Sequence, residues 1–94
     1  MKTIKDLEYS FNHTKDHILE RYDIKITRAF YDNMCLDMKK LSSPCVKIIS
    51  AEPQKDDIQI IADIHYKFME SIRVVWSSKR RCITTAIKRK YQHG

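Results

Sequence analysis

Apolar residues at Ile4, Leu7, Phe11, Ile18 and Tyr22 keep roughly helical spacing, with Asn12 and Thr14 interrupting the propensity midway. Thr14 is read as an N-cap whose hydroxyl accepts a first-turn N–H of a helix from about Lys15 to Tyr22; a shorter helix before it is either separate or continuous. Asp23 to Ile26 is a connector, and Thr27 offers a second cap. Phe30, Met34, Met38 and Leu41 then recur at spacings of four, four and three, which gives one apolar face to a helix from Arg28 to about Lys40. Ser42, Ser43 and Pro44 end it.

Beyond Pro44 the period shortens and the composition turns to Val, Ile, Thr and aromatic residues. Val46 to Ala51, Ile58 to Tyr66, Ser71 to Ser77 and Cys82 to Lys88 are predicted strands, joined by links too short for parallel crossovers. The expected fold is α+β, with N-terminal helices packed on one face of a four-stranded antiparallel sheet. Alternation sends Ile72, Val74 and Trp76 one way and Arg73, Val75 and Ser77 the other; in the last strand Ile83, Thr85 and Ile87 oppose Cys82, Thr84, Ala86 and Lys88. Ile72, Val74, Trp76, Ile83 and Ile87 are thereby assigned to the core, and Arg73, Thr84 and Lys88 to the open face, an assignment that a bulge would reverse.

Composition narrows the class. Ninety-four residues hold one domain, and 43% hydrophobic with 32% charged residues describe a folded chain. No apolar run is long enough to span a bilayer, and MKTIKDLEYS lacks the uninterrupted apolar stretch of a signal peptide, so a cytoplasmic protein with no membrane partner is expected. Cys35, Cys45 and Cys82 are odd in number and widely spaced, which fits reduced, mostly buried thiols. The net charge of +6 is distributed unevenly: residues 1–70 carry eleven Lys or Arg against twelve Asp or Glu. Arg73, Lys79, Arg80, Arg81, Lys88, Arg89 and Lys90 follow with no acid among them, a one-sided charge suited to a polyanion. No recognition helix of a helix-turn-helix is visible, so base-specific DNA reading is not supported.

His17 and Arg21, in HILER, stand four apart and share a helix face. If the helix starts near Lys15, His17 lies in its first turn, where the positive end of the helix dipole favours a neutral ring able to accept a proton. His13, four residues before, completes a metal-binding pair only if the helix runs through both, and no third ligand is evident. Trp76, Phe30, Met34 and Met38 read as core.

An HxxxR helix, a capped amphipathic helix, a four-stranded antiparallel sheet and a last strand reading ITT before a basic tail resemble, in that order, a family of small phage and plasmid domains. That family is related to the RelE, ParE and BrnT toxins and, more remotely, to barnase and colicin endoribonucleases. HILERYDIKIT looks like its opening segment and IRVVWSSKRRCITTAIKRK like its closing hairpin, so the likeness spans residues 11–91. The resemblance implies a RelE-like, metal-independent ribonuclease scaffold without cofactor, with RNA across the sheet. It places the catalytic histidine at His17, its arginine at Arg21 and the last-strand threonine at Thr84 or Thr85. Cleavage of RNA without metal needs a base for the 2′-hydroxyl, a cation for the phosphorane and an acid for the leaving oxygen. His17 would be the base and Arg21 and Arg73 the cations, while no residue is clearly placed as the acid and His65 points either way. An antitoxin would be a natural partner. The rival reading is a small interaction protein that uses its basic face to block a host protein's nucleic-acid site.

Overall fold

The structure is a computed structural model that describes residues 4–40, 43–67 and 69–88. Two helices, α1 (Ile4–Tyr22) and α2 (Arg28–Lys40), precede four strands, β1 (Val46–Pro53), β2 (Ile58–Ile64), β3 (Ile72–Ser77) and β4 (Cys82–Ile87). The strands form one antiparallel sheet in the order β1-β2-β3-β4, a meander, as the short links require.

The first helix is continuous, which corrects the role given to Thr14. That residue sits mid-helix and fully buried, and its hydroxyl donates 3.4 Å to the Ile83 carbonyl instead of capping anything. The weak propensity of Asn12 and Thr14 is overridden by packing. α1 ends where Asp23 adopts a positive φ of 58° and its N–H bonds the Leu19 carbonyl at 3.0 Å, a left-handed stop that Asp tolerates better than most residues. Thr27 does cap α2: its hydroxyl accepts the Phe30 N–H at 3.1 Å. Arg28 then ties the helices together, bonding Asp32 at 3.1 Å, approaching Glu8 at 3.6 Å and lying over the Phe11 ring.

The core lies between the helices and one sheet face. Ile18, Tyr31, Met34 and Met38 meet Ala62, Ile64, Ile72, Val74, Trp76, Ile83 and Ala86. Ile72, Val74, Trp76 and Ile83 fall where alternation assigns them, but Ile87 does not. The register runs Val75 to Thr85 and then Trp76 to Ile83, so Thr84 is an extra residue in a bulge and the alternation inverts. Ala86, opposite Val74, takes the core position, while Thr85 and Ile87 stand opposite Val75 and Arg73 on the other face. Burial holds the Tyr31 hydroxyl well above its ordinary pKa and pushes the Cys35 thiol up, so both stay protonated. All three cysteines are free, Cys35 and Cys82 buried.

Candidate nucleic-acid interface

α1 runs along the outer edge of β4, and this seam positions the HxxxR pair. Edge carbonyls normally face water; here the Ile83 carbonyl accepts from both Thr14 and Tyr31, the latter at 2.7 Å. The Tyr22 hydroxyl donates to the Ile87 carbonyl at 2.7 Å and accepts the Arg73 N–H at 3.0 Å. With the helix pinned at both ends of the strand, His17 falls beside Thr85, Nδ1 to Oγ1 3.4 Å. Arg21 Nη1 lies 2.7 Å from the same His17 nitrogen and 3.2 Å from Glu20.

Two expectations about His17 change with this geometry. α1 starts at Ile4, so His17 lies toward the C-terminal end and the argument from the positive end of the dipole does not apply to it. A guanidinium only donates, so Nδ1 accepts from Arg21 and the ring proton is assigned to Nε2. The available edge of His17 is therefore an N–H donor, suited to holding a phosphate oxygen or protonating a leaving oxygen, and it becomes a base only if Arg21 releases Nδ1.

Sequence reasoning missed how far this face extends. Tyr9 stacks on His13 with ring centres 5.7 Å apart and planes 15° from parallel, and His13 packs against His17 with ring centres 4.2 Å apart and planes tilted by 39°. Tyr9, His13, His17 and Arg21 recur every four residues, so one uninterrupted helix lines them up over about 18 Å. The spacing was the available signal; assigning a cap at Thr14 hid it. His13 and His17 do share a helix face, but no group of three or more His, Cys, Asp or Glu positioned for a metal exists among the described residues.

The basic residues disperse. Arg73 is held by Asp63 through two bonds of 2.8 and 3.1 Å, with the two side chains only 19% and 14% exposed, and this pairing raises the guanidinium pKa further. Lys79 Nζ binds Asp56 at 2.7 Å. Arg80 and Arg81, adjacent in sequence, face different ways. Arg80 lines an open hollow with Gln59, Ser77 and Thr84. Arg81, at a positive φ of 58°, lies with Met38, Lys39 and Trp76 on the helical side, a neighbourhood with no sequence signal. Thr84 donates to the Val75 carbonyl at 3.3 Å and belongs to the Arg80 hollow, so Thr85 is the threonine at His17. Lys88 is exposed just beyond Ile87, next to the Tyr22 anchor, while Arg89 and Lys90 lie outside the described residues. His65 bonds Ser71 at 3.2 Å in the β2–β3 link. No helix among the described residues is long and apolar enough to cross a membrane. Comparison with protein-family models, with curated proteins and with solved structures finds no match, so the likeness to the toxin group rests on the sequence motifs alone.

Proposed function

We propose that the protein binds single-stranded RNA along α1 and the adjoining β4 edge, as the resemblance to ribonuclease toxins implies. The ladder Tyr9, His13, His17 and Arg21 carries this reading: flat rings with a guanidinium at one end suit bases that stack and a phosphate that needs a planar cation. Tyr9 is 65% exposed, so its ring is open to a base. Lys88 extends the positive charge past Arg21 along the seam. At one phosphate, Arg21 would neutralise charge while His17 Nε2–H and the Thr85 hydroxyl bond its oxygens.

Cleavage is the further activity the resemblance implies. Binding of phosphate by Arg21 would free His17 Nδ1 to take the 2′-hydroxyl proton. The 2′-oxygen would then attack phosphorus, the bond from phosphorus to the 5′-oxygen would break, and the departing oxygen would take a proton from water.

Binding is tested by fluorescence anisotropy with labelled single strands and duplexes of the same sequence. Single strands are expected to bind more tightly, and Tyr9→Ala to cost about 1 to 3 kcal/mol if a base stacks there. Arg21→Ala should reduce the slope of log K against log salt by about 0.7, the loss of one phosphate contact. Equal affinity for single strands and duplexes, or indifference to both substitutions, refutes the ladder. Incubation with total RNA in EDTA, followed by end mapping, tests cleavage separately: His17→Ala should lower it by roughly a hundred to ten-thousand-fold with affinity little changed.

A further inference from the structure

Among the described residues β1 is the terminal strand of the sheet, with β2 as its one strand neighbour. Its Ile48 and Ile49 are 43% and 40% exposed. Lys47 and Glu52 are exposed too, and neither has an ion-pair partner among the described residues. A lysine and a bulge ordinarily protect such an edge from pairing. Here the bulge has a second effect. Lys47 stands opposite Asp63 and Glu52 opposite Gln59; Asp63 and Gln59 are four apart on the regular strand β2, so Lys47 and Glu52 share the open face although five residues separate them. By the same register Ile48, opposite Ala62, and Ala51, opposite Ile60, share the core face.

Antiparallel pairing of β1 with itself about a two-fold axis between Ile49 and Ser50 sets Lys47 against Glu52 of a second copy and Ile48 against its Ala51. Directly opposed residues must lie on one face, and without the extra residue at Ile49 they would not. The strand is thus complementary to itself in charge, in apolar side chains and in facing. We infer that the protein forms a symmetric dimer through β1, joining two sheets into one of eight strands, with two Lys47–Glu52 pairs closing it. The α1–β4 seams lie at the two far edges and stay open. The inference is independent of what the seam binds.

Sedimentation of the full chain from low micromolar to several hundred micromolar, at low salt, should show a reversible monomer–dimer equilibrium. Glu52→Lys and Lys47→Glu each set like charges together twice per dimer and should weaken association by about tenfold or more. The double variant Lys47→Glu with Glu52→Lys restores opposite charges and should recover it. Both positions are exposed, so circular dichroism is expected to stay unchanged, and His17→Ala should leave association unaffected. A wild type that stays monomeric throughout the range, or a double variant as weak as the singles, overturns the inference.

Discussion

At the β4 edge the carbonyls of Ile83 and Ile87 meet hydroxyls from Thr14, Tyr31 and Tyr22, and α1 lies along the whole strand. At the β1 edge no other strand among the described residues covers the backbone, and isoleucines stand partly in water. Both strands carry one bulge, but the two have different consequences. In β4 the extra Thr84 turns Ala86 into the core and leaves Thr85 facing His17. In β1 the extra Ile49 brings Lys47 and Glu52 onto one face. One insertion therefore builds the candidate site and the other makes an edge compatible with its own copy. In a sheet this small, a single residue of register decides which side chains meet.

The contrast should be largest in stability. Ile18, fully buried at the α1–β4 seam, should cost about 2 to 5 kcal/mol as Ile18→Ala, whereas Ile49→Ala on the opposite edge should change the monomer by less than about 0.5 kcal/mol. Urea unfolding at low protein concentration measures both, and comparable losses would mean that the seam is not where the fold is anchored. Smaller, but specific to the edge, is Tyr31→Phe. It leaves the Ile83 carbonyl to Thr14 alone at 3.4 Å and should cost about 1 to 2 kcal/mol, with faster amide exchange along β4 than along β1.

Least in energy is a pH effect in the turns at one end of the sheet. The Asp57 carboxylate accepts from the Ser77 hydroxyl at 2.5 Å and from the N–H groups of Lys79 and Ile58, which lowers its pKa. Because the folded pKa lies below the unfolded value of about 3.9, the stabilisation is complete above that pH and is lost as pH falls through the folded value. Exchange of the Lys79 amide, corrected for its intrinsic pH dependence, should lose protection below about pH 4. An Asp57→Asn variant with the same pH profile would assign the effect to another group.

The order and type of the elements and the four strands were legible in the sequence, because helical and strand periodicities and the Thr27 cap are properties of short segments that hold before any partner is chosen. The meander followed as well, since the short links leave antiparallel neighbours no alternative. His17 and Arg21 were legible as a pair because four residues on a helix is a local distance. Register was not. Whether Thr84 or Thr85 faces His17, whether Ile87 or Ala86 is core, and whether Lys47 and Glu52 share a face all depend on bulges set by pairing across strands. The uninterrupted α1 was likewise decided by tertiary structure, because burial of Thr14 against Ile83 outweighs a weak local propensity. The charge asymmetry of the chain was real in sequence and is reduced in space, since Asp56 and Asp63, which pair with Lys79 and Arg73, come from an earlier strand and turn. Sequence fixes which groups repeat along a segment; only packing fixes which segments they meet.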